Sequence, residues 1–184
     1  MRLSNKAITV LVAIGAVIVI GLVFLSIFAG TSNGVVRAEE TVNTDQSNIS
    51  KEEQRRVDLF NNLVDAIQSY NQFEQSTLTQ ITTARSQANS GNVDQAQLTI
   101  QAVVEAYPQL KSQDNYKQAM LEFSITENRI ASYRQQYNTD VKSYNQYVRT
   151  FPASFILAIM GYHSKNYQYL DFNVDNSQAR DLFK

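Results

Sequence analysis

Residues 114–149 read DNYKQAMLEFSITENRIASYRQQYNTDVKSYNQYVR, a stretch without glycine or proline. At alternating steps of four and three it carries Tyr116, Met120, Phe123, Glu127, Ile130, Arg134, Tyr137, Val141, Tyr144 and Val148. Side chains so spaced fall on one stripe of an α-helix. Eight of these ten are apolar or aromatic, so the stripe reads as a seam facing other helices of a bundle. The reading is therefore all-α, and the rest of the chain is placed around this helix, helix C.

Upstream, Asn89-Ser90-Gly91-Asn92 reads as a turn. Gly91 suits the left-handed conformation that closes a helix, and Asn92 with Gln95 resembles a capping box. Helix B then follows over 93–107, with Val93, Ala96, Ile100, Val103 and Tyr107 on its inner face, and Pro108 stops it. Before the turn, Phe60, Leu63, Ile67, Tyr70, Leu78 and Ile81 predict one long helix A over about 31–88. Val35, Val42 and Ile49 continue its stripe every seven residues, and the polar run 43–50, poor in helix formers, predicts a break. Helix B is much shorter than helix C, so the relative direction of helices A and C stays open.

Downstream, Pro152 ends helix C and a short apolar helix is expected over 153–160, with Phe155, Ile156, Leu157, Ile159 and Met160. It is too short to span a bilayer. It can pack across an open bundle end, lie in the membrane interface or bind a partner. Residues 166–184 read as an irregular tail.

The other end of the chain is unlike the rest. No charge occurs between Lys6 and Arg37, and residues 7–29 are almost wholly apolar. A helix of that length spans about 35 Å, enough to cross a hydrocarbon core of about 30 Å. The run exceeds a signal-peptide core and lacks an Ala-x-Ala exit, so an uncleaved transmembrane anchor is expected. Arg2 and Lys6 before the run outnumber Arg37 behind it, which favours a cytoplasmic N-terminus and an extracytoplasmic bundle. The organisation expected is a flank 1–6, a transmembrane helix 7–29, a bundle 30–165 and the tail 166–184.

Composition narrows the function classes. The chain of 184 residues has no Cys and one His, which excludes disulfides, thiolate chemistry and multi-His metal sites. A net charge of −1 lacks the basic footprint of a nucleic-acid binder. The expected partners are the membrane and an unidentified protein or a second copy, with no nucleic acid, small-molecule substrate or cofactor.

Four groups of residues carry a family resemblance. They are Arg55-Arg56 with Asp58-Leu59 and Asn62-Leu63-Val64; Ala106-Tyr107-Pro108 with Leu110-Lys111; Thr126-Glu127-Asn128-Arg129-Ile130 with Arg134, Tyr137-Asn138 and Tyr144-Asn145; and Phe151-Pro152 with Gly161-Tyr162, where the family usually has a Gly-Phe pair. In this order they resemble the LemA family of bacterial membrane-anchored helical proteins. The chain departs from that pattern at Asn61, Gln46 and Phe73, where the family has proline, Trp and His. The resemblance implies a membrane helix followed by an elongated antiparallel helical bundle, and it implies no enzyme.

Two sets of side chains remain as site candidates. Glu127 and Arg134 interrupt the seam of helix C, and Arg56 and Glu74 fall on the stripe of helix A. They are expected to form a structural polar network that sets helix register, with an ion- or proton-handling site at Glu127 and Arg134 as the sharper alternative. The second set is the patch Phe155, Ile156, Leu157, Ile159 and Met160, a lipid or partner surface. No catalytic, cofactor or metal residues are expected. The function expected is a membrane-anchored scaffold or adaptor, with self-associating membrane organisation as the alternative.

Overall fold

The computed structural model describes residues 5–70 and 73–171. They form α1 (Asn5–Gln68), α2 (Gln75–Asn89), α3 (Val93–Ala106), a 3-10 turn (Pro108–Ser112), α4 (Asp114–Arg149) and α5 (Ala153–Ile159). No strand occurs among the described residues. Of the expected tail 166–184, residues 172–184 lie outside the described residues, as do residues 1–4 of the flank.

Helix A departs from expectation twice. The expected break at 43–50 is absent, because α1 runs through it. Val42, Asp45, Ile49 and Glu52 are buried there at alternating steps of three and four, so packing on one stripe outweighs weak local propensity. The expected continuity to residue 88 fails instead: α1 ends at Gln68 and α2 starts at Gln75. An unbroken helix would carry Ile81, Ala84 and Ala88 away from the core they share with Phe60, Leu63 and Ile67. The turn lets α2 fold back on α1. Asn61 accordingly bonds Asn89 at 2.9 Å, and Arg85 bonds Asp65 and Gln68. Aromatic rings close the break, with Phe73 edge-on to Tyr70 at 5.3 Å and to Tyr107 at 4.9 Å.

The chain divides into two compact units, Thr44–Gln136 and the described residues of Met1–Asn43 with Tyr137–Lys184. In the first, α2 and α3 are joined by a tight reversal. Gly91, at φ 87°, donates its N–H to Ala88, and Asn92 donates its own to Gln87. This pair of bonds is the left-handed glycine closure of α2. Asn92 makes no side-chain cap bond, so the expected capping box is not formed. Phe60 meets Phe123 edge-on at 6.1 Å, and contacts from Glu53 to Arg134 run opposite in sequence direction, so α1 and α4 are antiparallel here.

In the second unit, Tyr147 of α4 donates to the carbonyl of Thr31 at 3.2 Å. A Cβ added at Gly34 would collide with the Tyr147 hydroxyl, so glycine is what permits this approach. The inner face of α5 buries Ala153, Ile156 and Leu157. Gly161, at φ 68°, then closes α5 with the same two-bond pattern, Gly161 to Ala158 and Tyr162 to Leu157. Beyond it the chain is irregular, clamped where Asn138 both donates to and accepts from the backbone of Leu170 at 2.8 Å.

The packing predicts a sharp contrast on α4. Phe123→Ala, at a site 2% exposed, is expected to cost roughly 3–5 kcal/mol in urea unfolding of the full chain in detergent. Leu121→Ala, at a site 62% exposed, should stay within about 0.5 kcal/mol.

Candidate functional site

The predicted charge network is partly assembled. Arg56 hydrogen-bonds Glu127 through Nε and Asp94 through Nη2, and its guanidinium lies 5.8 Å from the Phe123 ring centroid. Burial pushes Arg56 down, but the bonds and fields of Asp94 and Glu127 outweigh it and raise its pKa, so the cation is held. Arg134 does not join Glu127; it bonds Glu53 of α1 at 2.8 Å. Glu74 does not join either pair. It is exposed at the start of α2, where its backbone carbonyl accepts from Thr77 and Leu78. The stripe placed Glu74 with Arg56 only if helix A stayed unbroken.

These pairs are not sealed from water. The side chain of Arg56 is 18% exposed, against 38% for Glu127 and 87% for Asp94. The Asp94 arm is thus worth about 0–1 kcal/mol, the scale of a surface pair. A more enclosed carboxylate, Glu52, was not singled out by the sequence pattern. Its Oε1 lies 3.9 Å from Arg129, and its buried Oε2 has no hydrogen-bond partner. No group of three or more His, Cys, Asp or Glu side chains placed to hold a metal occurs among the described residues.

The other unit holds a tighter constellation. Tyr162 donates to Oε1 of Glu39, and its hydroxyl lies 2.7 Å from that of Tyr144. Tyr144, fully buried, accepts the backbone N–H of Lys165 at 2.7 Å and meets the Tyr167 ring at 5.0 Å. Lys165 Nζ returns to Oε2 of Glu39 at 2.8 Å. Burial alone would raise the Glu39 carboxyl, yet the bonds from Lys165 and Tyr162 hold it below its ordinary value of 4.5. Burial, then the bonds to Glu39 and Tyr144, push the Tyr162 phenol far up. Two carboxylate oxygens are thereby satisfied by one cation and one phenol, which ties the irregular segment after α5 to α1.

The apolar patch divides by face. Ile156 and Leu157 are buried core, whereas Phe155, Ile159 and Met160 are exposed together with Phe151. The expected five-residue surface is therefore a narrower one, because the other face of α5 is used for packing.

With this geometry in place, comparison with known proteins is informative. The model of the LemA family matches residues 45–181. The chain belongs to the LemA family. It is 27% identical over 141 residues to Protein LemA of Metamycoplasma hominis, covering 70% of this chain and 64% of that one. It is 34% identical over 68 residues to the magnetosome protein MamQ of Magnetospirillum gryphiswaldense, covering 37% of this chain and 25% of that one. The chain therefore spans less than two thirds of the length of these curated relatives. As a LemA protein it is a membrane-associated helical protein: one helix near its N-terminus is long and apolar enough to cross a membrane.

The LemA match takes in Tyr144, Tyr162 and Lys165, while Glu39 precedes it. The motif pairs Tyr144-Asn145 and Tyr137-Asn138 and the motif glycine Gly161 surround this constellation, whereas Tyr162 stands where the family usually has Phe, so its signal was present only in part as motif. Its meaning was not, since Glu39 lies 123 positions from Tyr162.

Tyr162→Phe removes the hydroxyl shared by Glu39 and Tyr144, and should destabilise the chain by roughly 1–3 kcal/mol. A carboxyl depressed by folding contributes stability above its ordinary value, and that contribution fades as pH falls through the folded value. Thermal melts of wild type and Glu39→Gln should therefore differ most near neutrality and converge as pH drops below about 4.5.

Proposed function

We propose that this LemA protein is a single-pass, membrane-anchored helical scaffold or adaptor that acts by binding another protein, without an enzymatic step of its own. The carrying observation is the character of α1. Its residues from Ile8 to Ile27 are exposed and, apart from Thr9 and Ser26, without polar side chains, and the same unbroken helix then enters packed structure from Thr31 onward. A helix apolar on every side suits lipid, where its backbone groups are bonded internally. The packed part displays exposed apolar side chains, Leu98 on α3 and Leu121 and Ile125 on α4, on an otherwise polar surface. Such side chains are the anchoring points that protein interfaces use.

A second reading is self-associating membrane organisation, supported by the magnetosome names of the MamQ relatives. A photocrosslinking amino acid at Leu121 in intact cells separates the two. An adduct with a different protein, lost when Ile125→Glu is added one turn along α4, is expected. An adduct only with itself favours the second reading, and no adduct at all counts against both.

The charge bias before and after the apolar run supports a reading with the N-terminus inside and the bundle outside. The chain has no Cys, so Ser90→Cys in the exposed turn after α2 supplies a single thiol. A membrane-impermeant maleimide should label it in intact cells. Labelling only after lysis would reverse the orientation.

A further inference from the structure

The exposed face of α5 lies beside the end of the apolar run of α1. Tyr147 touches Thr31 and Gly34, while Tyr144, one turn earlier on α4, shares the Tyr162 hydroxyl with Glu39, so α4 approaches the apolar run as its residue numbers rise. Thr31 stands two residues past Ala29, about 3 Å along the helix. Phe151 follows Tyr147 by four residues, in the turn just past the end of α4. Side-chain cover on α1 begins at Phe28, inside the apolar run, whereas Ile8 to Ile27 are exposed. The protein around α1 therefore reaches the level at which lipid would begin.

Near that level the unit presents Phe155 and Ile159, one turn apart on α5, with Met160 just after the helix and Phe151 just before it, all exposed. Phe151 is 78% exposed and Phe155 61%. Ala153, Ile156 and Leu157 on the other face are buried, so these exposed rings are not needed for the core. Arg149, exposed in the last turn of α4, adds a cation two residues before Phe151. Aromatic and aliphatic side chains next to a basic residue are the composition of segments that lie in a membrane interface.

We infer that the face formed by Phe151, Phe155, Ile159 and Met160 rests in the lipid interface of the bilayer that α1 crosses, as a second, shallow membrane contact. The face follows the end of α4 that lies nearest the lipid-facing run of α1, and this position selects lipid over a protein occupant. With two attachments, α1 through the bilayer and α5 on it, rotation of this unit about the axis of α1 is restricted. The inference rests on the anchor reading of α1, and its test separates the two.

The chain contains no Trp, so a single introduced Trp is the sole indole reporter. Full-length Phe155→Trp, Phe24→Trp and Leu98→Trp are reconstituted in phosphatidylcholine–phosphatidylglycerol vesicles, with and without brominated acyl chains. All three sites are exposed, so substitution leaves the core intact. Phe24→Trp should be quenched by bromine, and Leu98→Trp should not. Phe155→Trp should emit at shorter wavelength, be shielded from acrylamide, and be quenched more by bromines near the headgroup than by bromines near the chain end. Quenching of Phe24→Trp without Phe155→Trp leaves the anchor standing and overturns the α5 contact. In that case acrylamide access marks a solvent-facing surface, and shielding from both quenchers marks a second copy of the chain. An unquenched Phe24→Trp overturns the anchor and the α5 contact together.

Discussion

One constraint organises α1: the helix must be apolar on all sides over one length and apolar on one stripe over the next. In lipid the backbone is bonded within the helix and every side faces hydrocarbon, so charge is absent from 7–36. From Thr31 onward the rule changes. Val35, Val42, Ile49 and Phe60 are buried while their neighbours Val36 and Arg37 are exposed. The antiparallel partner in each unit, α4, has to match that stripe residue by residue, and its alternating spacing does so with Phe123, Ile130, Tyr137, Val141 and Tyr144.

The same stripe accommodates ionic groups, and their worth depends on how far each is drawn from water. Arg56 is mostly covered and spreads its charge over Glu127, Asp94 and the face of Phe123. Removing Arg56 would leave Glu127 half-buried with its partner gone, whereas removing Asp94 would disturb a group already in water. Glu39 is better enclosed and better supplied, with Lys165 and Tyr162 on its two oxygens. The glycine of the LemA pattern at 161–162 gains a physical reason from its backbone. Glycine takes the left-handed turn, and the residue after it is aimed back at α1 and α4.

Asn138 gives a similar reason for its place in the motif. Its amide pairs with both backbone groups of Leu170, as a neighbouring strand would, and so satisfies an irregular segment that has no secondary structure of its own. The segment needs such partners because its backbone is neither helical nor paired in a sheet. Family motifs on α4 therefore serve two roles at once, filling the seam and holding the return path of the chain.

Sequence alone determined the helical class, the apolar run, the seam of α4, the glycine-closed turn at Gly91 and the family. Each depends on periodicity or on the conformational limits of single residues, which neighbours in the chain reveal. Tertiary structure decided where helix A breaks: residues 69–74 hold no proline or glycine, and the break follows from the gain of packing α2 against α1 and α3. It decided that Arg134 pairs with Glu53 rather than Glu127, and that Glu74 stands apart. It also decided which half of the patch after Pro152 is core and which is surface. These outcomes depend on which residues far apart in the chain are brought within bonding distance, and no local pattern encodes that meeting.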